Sequence, residues 1–283
     1  MDDRILDRLR CPVCAEPLTE TTAGTARALR CPRGHSFDMA RQGYVNLLAG
    51  RTPHTGDSAE MVAARAGFLA AGHYDTVAAA LATTAVRVAG VEPYPLVVDA
   101  GAGTGHYLAA VLAALPDAAG LALDVSKPAL RRAAKAHPRA AAALADTWQR
   151  LPLADRSTAV LLNVFAPRNG PEFHRVLDPG GALLVVTPAA DHLTELVDAL
   201  DLLRVDPDKA ERVAGSLGAR FTEESATGHR TRLALTRAEV ATLVGMGPSA
   251  WHADPQRLAA RIAALPEPVP VTLSVRLTVH RPR

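Results

Sequence analysis

Three cysteines and one histidine near the amino end have the spacing of a metal site. Cys11-Pro-Val-Cys14 is followed, after 16 residues, by Cys31-Pro-Arg-Gly-His35. Thiolates and imidazole suit tetrahedral Zn2+, and four ligands leave no open position, so one structural zinc ion per chain is expected rather than a catalytic one. A redox dithiol at Cys11 and Cys14 is the functional alternative, but no thioredoxin-like βαβ pattern surrounds it. Unrelated buried cysteines are the plain alternative. An odd number of cysteines crowded into one region argues against a disulfide framework. Arg8, Arg10, Arg30 and Arg33 lie around the cluster, where they form either a solvated basic face or a contact for RNA.

A second constellation is Val97-Val98-Asp99-Ala100-Gly101-Ala102-Gly103-Thr104-Gly105. A short apolar run enters three glycines at alternate positions, and a helical pattern follows. Glycines there let the backbone turn sharply and let a ligand come close. A nicotinamide fingerprint needs Gly or Ala where His106 stands, and the acidic Asp99 ahead of the loop suits a sulfonium better than a pyrophosphate. Asp124 follows about 20 residues later, placed to accept ribose hydroxyls. The pattern predicts S-adenosylmethionine as cofactor.

These groups need a scaffold, and the chain supplies one. Short apolar runs at 96–100, 120–126, 141–146, 157–165 and 180–188 alternate with helical stretches. That alternation predicts a Rossmann-like α/β fold of the class I methyltransferase type, its sheet mostly parallel. The run at 141–146 is mostly alanine and is read as a strand from its position. Residues 271–280 alternate apolar and polar, which predicts a closing antiparallel strand near the C-terminus. The expected division is a zinc module over 1–38, a helical linker over 39–95 and the methyltransferase domain over 96–283.

The 283 residues are 48% hydrophobic, 21% charged and only 4% aromatic. This composition belongs to a globular protein and excludes a largely disordered chain. A net charge of +2 excludes a uniformly basic polyanion binder but not a local basic patch. No apolar run reaches membrane-spanning length and no signal-peptide pattern opens the chain, so a cytoplasmic location without membrane association is expected.

Beyond these patterns, the chain resembles the bacterial 23S rRNA guanine-N1 methyltransferases. The residues that carry the resemblance are the Cys/His set, Phe37-Asp38-Met39-Ala40, Gly43-Tyr44-Val45-Asn46-Leu47-Leu48 and Gly56-Asp57-Ser58-Ala59-Glu60-Met61. It continues through Ala71-Gly72-His73-Tyr74, Leu123-Asp124-Val125-Ser126-Lys127 and Met246-Gly247-Pro248-Ser249-Ala250-Trp251-His252. Asn163-Val164-Phe165-Ala166-Pro167-Arg168-Asn169 is similar to the actinobacterial tylosin-resistance branch. The resemblance implies methylation of N1 of a guanine in a hairpin loop of domain II of 23S rRNA, and a homodimer. It implies zinc on Cys11, Cys14, Cys31 and His35. For the cofactor it implies Tyr74, Asp99, Gly101, Gly103, Thr104, Gly105, Asp124, Asn163 and His192, with Asp146 as a candidate for the adenine edge. Tyr74 and His192 rest on the resemblance alone.

The residues leave the chemistry partly open. Guanine N1 carries a proton, and Asp57, Glu60 and Asp191 are candidate acceptors that spacing does not separate, so the catalytic residue stays unassigned. Phe165, Trp251 and Tyr44 are candidates for stacking on an unstacked base, and Arg41, Arg65 and Arg168 for phosphate contact. A small-molecule methyltransferase of the same fold and a non-catalytic RNA-binding factor are the alternatives. Cys31→Ser is expected to impair RNA methylation even if cofactor binding survives.

Overall fold

The computed structural model describes residues 1–24, 26–50, 54–90, 94–202, 215–247 and 254–283. Its strands are β1 (Thr19–Ala23), β2 (Ala26–Arg30), β3 (Ser36–Asp38), β4 (Tyr44–Asn46), β5 (Leu96–Ala100), β6 (Ala119–Asp124), β7 (Ala140–Leu144), β8 (Thr158–Val164), β9 (Leu177–Pro188), β10 (Phe221–Leu235) and β11 (Val269–Pro282). The helices are α1 (Asp3–Leu6), α2 (Ala59–Ala70), α3 (Asp75–Val88), α4 (His106–Ala114), α5 (Lys127–Ala133), α6 (Gly170–Val176), α7 (Thr194–Leu200), α8 (Arg237–Gly245) and α9 (Pro255–Ala263).

An eight-stranded sheet runs in the order β10-β11-β9-β8-β5-β6-β7-β4. The strands from β9 to β4 are parallel, whereas β11 pairs antiparallel with both β9 and β10. All five residues of β5 and all seven of β8 are buried, which explains their continuous apolar runs. The five expected parallel strands and the closing antiparallel strand are all present. The stretch expected to be mainly helical contains a surprise: Tyr44, Val45 and Asn46 form an edge strand beside Ala142, Ala143 and Leu144. Tyr44 is thereby buried and is not an exposed stacking surface.

Alternate side chains divide the core in two. On one face of the sheet, Val97, Val160, Leu162 and Leu184 pack with residues of α3, α4, α5 and α8. On the other, Leu96, Val98, Leu121, Leu123, Leu161 and Leu183 pack with Phe173 and Val176 of α6 and with the N-terminal module. Ile5, Leu9, Leu18, Leu29, Cys11 and Cys31 belong to this second cluster. The module thus covers area that helices cover in an ordinary doubly wound sheet. Backbone bonds seal the junction: Arg10 N–H donates to Pro152 O at 3.0 Å and Ala154 N–H to Arg8 O at 2.8 Å. Arg4 adds a bond to Asp117 O at 2.8 Å.

Leu9 is fully buried in this seam and bridges to Leu153. Leu9→Ala should therefore cost about 2–5 kcal/mol, the range for a large-to-small change in a core. Urea unfolding followed by circular dichroism checks it; a loss under about 0.5 kcal/mol would mean the module is not part of the shared core.

Candidate active site and zinc centre

Two turns, one ahead of β1 and one between β2 and β3, bring the four metal-ligand candidates together. All four ligand atoms lie within 4.8 Å of one another. Cys14 Sγ stands 3.6 Å from Cys31 Sγ, and His35 Nδ1 stands 3.5 Å from Cys11 Sγ and 3.3 Å from Cys31 Sγ. A tetrahedral zinc ion with bonds of about 2.3 Å to sulfur and about 2.0 Å to nitrogen spaces its ligands by roughly 3.5–3.8 Å. The set fits that ion. Around it, Arg8 donates to Arg4 O and Tyr94 O, and Arg10 to Asp7 O and Leu9 O. Arg30 is exposed, and Arg33 makes only a surface pair with Glu16 at 3.4 Å.

The second site lies at the C-terminal ends of the parallel strands, where ligands bind in open α/β sheets. The turn after β5 carries Gly101, Gly103 and Gly105, with φ of +84°, +53° and +79°. A Cβ on Gly101 would lie 2.4 Å from Ala166 Cβ, and one on Gly105 would lie 2.9 Å from Ala133 Cα. Both positions therefore need glycine for conformation and for space. Thr104 is partly exposed between them. Asp124 closes the turn: Oδ2 accepts Gly103 N–H at 2.8 Å, and Oδ1 accepts Ser126 N–H at 2.7 Å. Burial pushes its carboxyl up, while these two backbone bonds oppose the shift. Each oxygen keeps lone-pair capacity for a further donor.

Asp99 is the most unusual group. It is 1% exposed, and neither carboxylate oxygen has a hydrogen-bond partner among the described residues. Burial, and secondarily the nearby Asp124 charge, push its carboxyl up to about 8. Such an orphaned carboxylate calls for a cationic partner. The donor chemistry and the glycine cradle both fit S-adenosylmethionine.

On the β8 side stands an aromatic group. Tyr74, at the start of α3, has its hydroxyl 3.5 Å from His192 Nε2. Ser274 N–H donates to His192 Nδ1 at 3.2 Å, which leaves the ring proton of the neutral imidazole on Nε2. Phe165 lies 6.1 Å from both rings, edge-on to Tyr74. It is 41% exposed with φ +52°, a conformation that bulky residues rarely adopt. Asn163, buried on β8, donates to Ala100 O at 3.2 Å and to Pro167 O at 2.8 Å, bracing the Phe165–Pro167 turn against the glycine loop.

Comparison with known proteins finds both kinds of domain. Residues 9–52 match a family described as RlmA, N-terminal, a zinc ribbon, and residues 97–181 match a methyltransferase domain. A Streptomyces fradiae 23S rRNA (guanine(748)-N(1))-methyltransferase is 54% identical, with 100% of this chain and 99% of that protein covered. A Micromonospora griseorubida protein assigned as a 23S rRNA (guanine-N(1)-)-methyltransferase is 68% identical over the whole of both chains. The chain belongs to the 23S rRNA (guanine-N1)-methyltransferase family. A Bacillus subtilis (strain 168) protein given the same assignment is 33% identical over 88% of this chain and 89% of its own length.

The methyltransferase site includes a segment that spacing did not reveal. Residues 54–58 run along the end of β6, where a Cβ on Gly56 would lie 2.6 Å from Ser126 N. Ser126 donates to Asp57 O at 2.8 Å, and Asp57 forms an ion pair with Arg65. Arg65 also donates to Met246 O at 2.8 Å, so it is engaged within the fold rather than held out for phosphate. His54 Nδ1 lies 2.8 Å from Asp146 Oδ2, capping that buried carboxylate. Asp191 pairs with Arg230 at 2.8 Å on the surface, and the guanidinium holds its carboxyl below the usual range. Glu60 is exposed in the first turn of α2. Arg41 is exposed; Arg168 is half-buried, donating to Ala166 O at 3.2 Å. Trp251 lies outside the described residues.

Proposed function

We propose that this enzyme methylates N1 of guanine 748 in the domain II hairpin loop of 23S rRNA, as the name of its Streptomyces fradiae relative states for that protein. S-adenosylmethionine supplies a methyl group on a sulfonium. On this reading Tyr74, Asp99, Gly101, Gly103, Thr104, Gly105, Asp124, Asn163 and His192 form its site. Asp99 meets the cationic portion, Asp124 the ribose hydroxyls, and Asn163 acts by bracing the turn above. Cys11, Cys14, Cys31 and His35 hold zinc.

The observation that carries the proposal is Phe165. It is exposed, held in a left-handed conformation, and packed through its neighbour Ala166 against the glycine cradle. An unstacked guanine lying on that ring would be next to the methyl donor, and such positioning lowers the barrier to in-line transfer. The N1 proton must leave. Asp57 is engaged by Arg65 and Asp191 by Arg230, so neither carboxylate is free to reach the base, and we assign the proton to water.

Residues 1–38 are the RNA-recognition module, 39–95 lead into the catalytic domain, and 96–283 are that domain. The enzyme acts in the cytoplasm as a homodimer, and its product protects the ribosome from tylosin-like macrolides. Primer extension across the hairpin tests the reaction, because methylated N1 cannot pair. RNA from a complemented deletion strain should show a stop one nucleotide before the guanine, absent from the deletion strain and from one carrying Asp124→Ala. Identical patterns in all three strains would overturn the substrate assignment.

A further inference from the structure

Trp148 has no part in the cofactor site described above, yet the fold presents it deliberately. In a chain that is 4% aromatic, this indole is 53% exposed. Its loop is held firmly. Asp146 Oδ1 accepts Trp148 N–H at 2.9 Å, Asp146 O accepts Gln149 N–H at 2.9 Å, and Asn169 donates to Thr147 O at 3.0 Å. His54 lies beside the ring, with centroids 6.2 Å apart and planes tilted by 35°. The indole is thus flanked by His54 on one side while more than half the residue faces solvent.

Its place in the fold is equally specific. The loop leaves the C-terminal end of β7, next to β6 and its Asp124. A few residues on, the same loop forms the seam with the zinc module through Pro152, Leu153 and Ala154. Trp148 follows β7 and Phe165 follows β8, on the two sides of β5 and β6 in the sheet order. Arg150 follows it, 58% exposed and only loosely paired with Asp155 at 3.7 Å.

We infer that Trp148 is a second stacking platform, which takes an unpaired loop nucleotide of the RNA substrate other than the methylated guanine. A rigid, exposed indole with a cation nearby is suited to a nucleobase and the adjoining phosphate. The inference rests on the RNA-substrate reading. Two platforms, one on each flank, would hold an opened hairpin loop across the site and so select loop RNA over duplex.

Tryptophan emission and filter binding test it with the full-length protein and an RNA hairpin carrying the domain II loop. RNA should quench wild-type emission. Trp148→Phe should lose most of that quench, with Trp251 the remaining indole, while keeping Kd within about threefold, and Trp148→Ala should weaken RNA binding about tenfold or more, with the KM for S-adenosylmethionine unchanged. Two results would overturn the inference and leave the substrate reading standing. One is Trp148→Ala binding RNA as tightly as wild type. The other is a Trp148-dependent quench caused by S-adenosylhomocysteine alone, which would place the indole on adenine. Failure of the wild-type protein to bind the hairpin would overturn both.

Discussion

Chelation of zinc should destabilise the whole enzyme, not just its first 38 residues. Structural zinc contributes about 10–16 kcal/mol of apparent free energy to small zinc-dependent folds, comparable to the entire stability of a typical domain. Cys11 and Cys31 lie in the same apolar cluster as Leu121, Leu123 and Leu161 of the central sheet. Loss of the ion would loosen Ile5, Leu9 and Leu29 and let water onto that face. Thermal unfolding should shift down by about 10 °C or more with a strong chelator, and zinc should restore it. The shared core also changes what to expect of Cys31→Ser. Read from the sequence, this substitution costs RNA methylation whether or not cofactor binding survives; with the module forming part of the sheet's cover, cofactor affinity should fall along with RNA methylation. His35→Cys, which keeps a four-ligand set, should retain most of the stability. A melting curve unmoved by chelation would show that these residues fold without metal.

Asp99→Asn should cost about a hundredfold in affinity for S-adenosylmethionine, typical of removing one member of a buried charge pair. Without cofactor, the Asp99 carboxyl is raised to about 8 by burial and by Asp124, so at neutral pH it is mostly protonated. A cation binding beside it favours the ionised form and expels a proton. Affinity should therefore rise with pH below about 8, by up to tenfold per unit, and level off above it. The amide introduced by Asp99→Asn has no proton to lose, so the variant's affinity should be flat over this range. Stability of the cofactor-free protein moves the other way. A carboxyl raised in the folded state favours folding below its unfolded value, and that contribution disappears as pH rises through about 8. Cofactor-free Asp99→Asn should then lose less stability than wild type between pH 5 and pH 9. Calorimetry in buffers of different ionisation enthalpy reads the proton directly. Equal proton release by both proteins would remove Asp99 from the cofactor site.

Legibility followed burial and chain proximity. Strands β5, β6, β8 and β9 were plain because a parallel strand buried on both faces is a continuous apolar run. The alanines of β7 needed their neighbours to identify them. Strand β4 was missed because three residues at a sheet edge carry no period, and the first half of β10 because its exposed, polar side chains look like a loop. The zinc ligands and glycine loop sit close in sequence and were visible as spacing. Tyr74 and His192 meet across 118 positions, and His54 and Asp146 across 92, so local pattern could not pair them. Arg65 looked free for phosphate only because its partner Asp57 lies on the preceding segment, folded back over the glycine loop.

The seam between the zinc module and the sheet has a consequence for synthesis on the ribosome. Ile5, Leu9 and Leu29 are translated first, but their partners Leu121, Leu153 and Leu161 emerge on the order of a hundred residues later. At about 5–20 residues per second, that delay is on the order of ten seconds. During it the nascent module must wait with its apolar side uncovered, exposed to chaperones and to other nascent chains. Early capture of zinc by Cys11, Cys14, Cys31 and His35 would hold those side chains in place until the sheet arrives. The cell's supply of free zinc during translation would then govern how much enzyme matures.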